Sequence, residues 1–135
     1  MMRRHRARIL ALQALYEIDA VRREPDSALN HLIEEAEITD ETAAFSRELV
    51  TGVIANLADI DKIISKHATS WPLEQISVID RNILRLAIFE ILFDNKVPVK
   101  VAASEAVKLA NSFGSETSAK FVNGVLGSIC ATVSR

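Results

Sequence analysis

Four arginines stand within six residues near the start of the chain: Arg3, Arg4, Arg6 and Arg8, in the segment RRHRAR. Guanidinium forks at this density suit the phosphates of an anionic polymer, an attraction that weakens as salt rises. The placement is costly. Cations at a helix N-terminus oppose the macrodipole by about 0.3–1 kcal/mol each, so a partner explains them better than folding does. The competing reading is an uninvolved basic tail. Just beyond, Gln13 and Tyr16 lie three apart on one helical surface. They offer an amide for base edges and a ring for stacking, the pairing that suits unpaired RNA. Lys120-Phe121 is a second such element, and Asp80, Arg81 and Arg85 form a third polar group.

Catalytic constellations are missing. His5, His31 and His67 fall in three separate segments, without a Cys or carboxylate beside them at metal-ligand spacing. Cys130 lies on an apolar helical face, where a structural thiol is expected rather than a nucleophile. Asp59 and Asp61 diverge on their helix, and Glu34 and Glu35 read as a solvated face. No glycine-rich phosphate loop or dinucleotide fingerprint is present.

The elements that must position these groups are helical. In 135 residues there are only 4 Gly, 3 Pro and 5% aromatics, with 49% hydrophobic and 25% charged residues, which favours an all-α domain with its own core. One cysteine excludes an internal disulfide and fits a reducing cytosol. No apolar run reaches the ~20 residues needed to span a bilayer. The net charge of −2 conceals an asymmetry: residues 1–16 contain four arginines and no acid, while ten acids face only Arg47 between Glu24 and Asp61. A basic start on an acidic body implies different partners for the two.

Ala7, Leu10, Ala11, Ala14, Leu15 and Ile18 predict a first helix over about 3–21. Pro25 breaks it, with Asp26 as the next N-cap, and Leu29, Leu32, Ile33 and Ala36 face inward from a short second helix. Thr39 or Asp40 caps a long apolar-striped stretch to His67, with a bend near 56–59. Trp71, in the following turn, is expected to plug a gap between helices. The central element is SVIDRNILRLAIFEIL, 77–92, apolar nearly all round and hence surrounded by neighbours. Ser77 and Asp80 have capping-box spacing at its start, and Asp80, Arg81 and Arg85 mark where it reaches the surface. A sixth helix runs over 101–113, with Gly114 as a left-handed C-cap. Ser115 caps a seventh, in which Gly124 and Gly127 suggest close approach of another helix.

Taken together, ARILALQALYEID (7–19), FSRELVTGV (45–53), WPLEQISVIDRNILRLAIFEIL (71–92), VPVKVAASEAVKLANSFG (97–114) and SAKFVNGVLGSI (118–129) resemble the NusB family of bacterial transcription antitermination factors. The resemblance covers about 3–129, and KFVNGVL and the ILRLA helix are its most specific parts. It implies a seven-helix bundle in one domain, with an N-terminal helical subdomain (about 1–70) and a C-terminal one (about 71–135) around a central buried helix. It further implies a cytoplasmic, non-catalytic, cofactor-free protein. Such a protein would pair with NusE, a small-subunit ribosomal protein, bind boxA RNA, and join NusA, NusG and RNA polymerase to suppress termination in rRNA operons and assist rRNA maturation. Carried onto this chain, Arg4, Arg6 and Arg8 would serve phosphates, while Gln13, Tyr16, Asp80, Arg81, Arg85, Thr117 and Lys120 would extend the RNA surface. Phe121 would stack on a base or pack in the core, and Asp80 and Arg81 could serve NusE instead.

Two positions depart from the family pattern: Thr117 stands where an acid is frequent, and Gly127 where an Asp is usual. Some members self-associate through the RNA surface, making a homodimer one expected state. A similar domain precedes an rRNA cytosine methyltransferase in other proteins; the end at Arg135 favours the free factor. The alternative function is a protein-interaction module, or an accessory domain of rRNA modification without RNA specificity of its own.

Overall fold

The computed structural model describes residues 2–133, with side chains from Arg4 onward; the Arg3 side chain lies outside the described residues. Seven α-helices are present and, among these residues, no strand. They are α1 (Met2–Tyr16), α2 (Pro25–Ala36), α3 (Asp40–Ala55), α4 (Leu57–His67), α5 (Val78–Ile88), α6 (Val99–Phe113) and α7 (Ser118–Cys130). No helix is long and apolar enough to cross a membrane, among the described residues.

Local chemistry sets most boundaries. Pro25 opens α2, and the cap is Glu24 rather than Asp26: its carboxylate accepts the Asp26 and Ser27 N–H groups at 3.2 and 3.0 Å. The Thr39 hydroxyl caps α3 through the Thr42 N–H at 3.1 Å. The long stretch breaks at Asn56, whose side-chain amide donates to the Gly52 carbonyl at 2.8 Å and so competes with helix continuation. Ser77 caps α5 through the Asp80 N–H at 3.1 Å. Gly114 is not left-handed: its φ is −91°. Space requires the glycine instead, because a Cβ there would lie 2.4 Å from Ser118 Cβ.

Helix α5 is the axis of the molecule. Every residue from Asn82 to Ile88 is buried, and burial continues through Phe89, Glu90 and Ile91. Ile83, Leu84 and Ile88 meet Leu49, Ile60, Ile64, Leu109 and Leu126 in one continuous core. Each such side chain contributes about 1.5–3 kcal/mol through lost water contact. Ala7, Ala11 and Ala14, all fully buried, give α1 a smooth face for close packing.

Two helices end in π turns, Glu17–Val21 after α1 and Phe89–Asp94 after α5, each stopped by a residue with positive φ, Arg22 (63°) and Asn95 (58°). The extra residue per turn re-aims side chains. Asp19 in the first turn and Glu90 in the second both close onto arginines.

Candidate nucleic-acid interface

Three arginines expected at the surface are engaged inside the protein. Arg8 is 1% exposed. Its Nε and Nη2 donate to the two carboxylate oxygens of Glu90 at 2.8 and 2.7 Å, and Nη1 donates to Glu105 at 3.2 Å. Burial opposes its charge, but Glu90 and Glu105 outweigh that and hold its pKa above the ordinary value. Arg8 is therefore a structural cation rather than a phosphate contact. Its phase was a signal, since Ala11, Leu12 and Leu15 share its helix face. So were Glu90 and Glu105, lone acids on apolar stripes.

Arg81 and Arg85 behave alike. Arg81 grips Asp19 with Nε at 2.7 Å and Nη2 at 2.6 Å. Arg85 donates from Nη1 to Asp19 at 2.8 Å, and from Nε and Nη2 to Asp61 at 2.9 and 3.0 Å. The hydrogen bond from Arg81 pulls the Asp19 carboxyl down to about 2, against the opposing effect of burial. Asp61, read as solvated, is instead an ion-pair partner. This network ties the turn after α1 to α4 and α5, and it leaves Arg85 little exposed, not on a solvent strip.

The remaining cations are accessible. Arg4 is exposed, its guanidinium carbon 4.9 Å from the centre of the Phe45 ring. Exposed Arg6 donates to the Ala36 carbonyl at 3.0 Å, capping the end of α2. Lys120 is also exposed. Because the segment is helical from Met2, Arg4 and Arg6 are held on different sides of α1, Arg4 against α3 and Arg6 against the end of α2.

The other predicted residues gather along connected clefts. One, of about 560 Å³, lies between the start of α5 and the α6–α7 turn, with Trp71, Ile79, Asp80, Phe113, Thr117 and Phe121 in its walls. A second, beside α1, is walled by Gln13, Tyr16, Leu32, Ile79 and Phe113. A third runs along α7 past Trp71, Thr117, Lys120, Phe121 and Gly124. Ile79 and Phe113 join the first cleft to the second, and Trp71, Thr117 and Phe121 join it to the third.

Asp80 has the least ordinary environment. It is 9% exposed, and its Oδ1 is buried without a hydrogen bond. The carboxylate thus does not close the expected capping box in full, leaving an unsatisfied acceptor beneath the cleft wall. Phe121 is half-buried, packing on the core and lining two clefts at once. Trp71, expected to fill an interior gap, is 55% exposed. It and Phe113 are aromatic wall residues missed by periodicity, because they lie in a turn and at a helix end. Gly124 and Gly127 meet no neighbouring helix, since nothing lies within 4 Å of a Cβ built at either.

Among the described residues no three His, Cys, Asp or Glu side chains converge to hold a metal ion. Burial pushes the Cys130 thiol up, away from the thiolate that nucleophilic chemistry needs. The arrangement is suited to binding: rings, an amide and flanking cations.

A profile of the NusB family matches residues 5–131. A protein of Dehalococcoides mccartyi named transcription antitermination protein NusB is 48% identical over 126 residues, 93% of this chain and 88% of that protein. The structure of T. maritima NusB is 34% identical with a TM-score of 0.90, covering 98% of this chain and 93% of that one. A structure described as antitermination factors NusB and NusE in complex with dsRNA is 28% identical with a TM-score of 0.90, covering 98% and 99%. Likeness of this extent, in sequence and in helix arrangement alike, has one consequence: the chain belongs to the NusB family.

Proposed function

We propose that this protein is a transcription antitermination factor that binds boxA-type RNA together with NusE, without a catalytic step of its own. The observation that carries the reading is the run of joined clefts, in which Gln13, Tyr16, Phe113, Trp71 and Phe121 present rings and an amide on one surface, with Asp80 in its wall. Exposed Arg4, Arg6 and Lys120 supply attraction for phosphates. The likeness to a protein solved with NusE and RNA supports the same partners.

Within this reading the aromatic walls stack on unpaired bases, each worth about 1–3 kcal/mol. The Asp80 carboxylate, in the cleft wall, accepts from a base-edge donor such as an exocyclic amine. Arg81, tied to Asp19, orients the start of α5 rather than meeting RNA. NusE docks across α5 and the C-terminal helices and completes the site, and NusA, NusG and RNA polymerase join the larger cytoplasmic complex on rRNA operons. Residues about 1–70 and 71–135 form its two subdomains.

The test is a titration of boxA-type and scrambled RNAs with and without NusE, across salt. Weak, salt-dependent binding that tightens with NusE and prefers boxA is expected. RNA affinity indifferent to NusE, or absent, would overturn the reading. Reversing Arg4 and Arg6 to Glu separates it from a pure protein-interaction module: RNA binding falls sharply while NusE binding survives.

A further inference from the structure

Glu105 on α6 is the hub of a cluster that the clefts do not reach. Buried to 7% exposure, it is met by two cations and a histidine ring. Arg8 Nη1 donates to Oε1 from the interior at 3.2 Å, His5 Nδ1 lies 3.2 Å from the same oxygen, and Lys108 Nζ lies 3.3 Å from Oε2. Burial works to raise the Glu105 carboxyl's pKa, but the bonds from His5 and Lys108 and the charge of Arg8 outweigh it and hold the group below its ordinary value. It is therefore an ionised, acceptor-only carboxylate, and the His5 atom facing it must be Nδ1–H.

That fixes the ring. With one proton, placed on Nδ1, the outer nitrogen Nε2 is an acceptor and repels a phosphate oxygen. With a second proton, Nε2–H donates. Among the described residues, the charged groups linked to the ring through Glu105 are Arg8 from its own helix and Lys108 from α6, with Glu90 from the turn after α5 behind Arg8. A second proton on His5 therefore adds one positive charge to a cluster in which Arg8 and Lys108 already face Glu105.

The cluster shares a face with the proposed RNA surface. His5, Gln13 and Tyr16 follow one side of α1, and Lys108 precedes Phe113 on α6. Eight residues from His5 to Gln13 span about 12 Å of helix, a distance a single strand can follow. The His5 side chain is 37% exposed and that of Lys108 63%, while Glu105 is screened beneath them.

Resting on the RNA-binding reading above, we infer that His5 and Lys108, set over the two oxygens of Glu105, form a proton-gated seat for an RNA phosphate at the α1/α6 seam. Lys108 supplies a constant charge, and His5 Nε2 supplies a donor only when the ring carries two protons. RNA affinity thus gains a component toward lower pH that belongs to a single side chain.

The experiment uses the full chain with NusE and a fluorescent boxA-type RNA, at pH 6 and pH 8, across a salt series. Histidine is the side chain whose charge changes in this interval. His5→Gln is expected to weaken binding about two- to fivefold at pH 6, the scale of one exposed ion pair, and to match the unsubstituted protein at pH 8. Lys108→Gln should reduce the slope of log affinity against log salt by about 0.7, one phosphate contact on a single strand, and Lys108→Arg should restore it. Equal loss from His5→Gln at both pH values, or an unchanged salt slope in Lys108→Gln, overturns the seat while leaving the RNA reading in place. If the unsubstituted protein with NusE does not bind RNA, both fail.

Discussion

At the scale of single residues, context separates side chains that look alike in the sequence. Arg4 and Arg8 are four apart on α1, yet one faces solvent and the other is sealed against Glu90 and Glu105. Replacing Arg8 with Met takes the buried guanidinium away from Glu90 and Glu105, a change that costs about 3–5 kcal/mol. Urea denaturation should register that loss, and Arg8→Met together with Glu90→Leu should recover part of it. Asp80 makes the complementary case. If its carboxylate reads a base edge, Asp80→Ala costs about 1–3 kcal/mol of discrimination. In anisotropy titrations boxA-type RNA should lose affinity while scrambled RNA barely changes. Equal loss on both would remove Asp80 from base readout.

Glycine placement is settled at the scale of elements. Alanine is worth about 1 kcal/mol more than glycine inside a helix, so propensity alone favours Gly→Ala at every helical position. Gly52 on α3 is the exception, because a Cβ there would lie 2.1 Å from Cζ of Phe89, a ring that is itself buried. Overpacking of this kind costs about 1–3 kcal/mol and reverses the sign. Gly124 and Gly127 on α7 have open space. Thermal melts should therefore show Gly52→Ala less stable, and Gly124→Ala and Gly127→Ala more stable by up to about 1 kcal/mol each. A stabilised Gly52→Ala would mean that Phe89 can move aside at little cost.

For the whole molecule, the Asp19–Arg81–Arg85–Asp61 network links the turn after α1 to α4 and α5. Asp19 falls from an ordinary 3.8 to about 2 in the folded protein, chiefly through its hydrogen bond from Arg81. A carboxyl depressed on folding contributes stability above its unfolded pKa and loses it as pH falls through the folded one. The contribution is therefore complete above about pH 4 and disappears toward pH 2. Asp19→Asn should lower stability at neutral pH and flatten the acid limb between those values, as read by denaturation at stepped pH. An acid limb unchanged by Asp19→Asn would assign acid sensitivity to another carboxyl.

The helical class, the cap at Ser77, the break near Asn56 and the nearly all-round burial of α5 were legible in the sequence. All depend on the 3.6-residue period and on local hydrogen bonds. Gln13, Tyr16 and Phe121 were legible as candidates for the same reason, since periodicity gives the direction in which a side chain leaves its helix. It does not give what a neighbouring helix brings to meet it. Arg8 finds Glu90 from 82 residues away, Arg81 finds Asp19 from 62, and Arg85 finds Asp61 from 24. Only the tertiary structure could decide which cations remain free for a partner, because ion pairing is set by proximity in space and burial makes an unpaired charge too costly to leave.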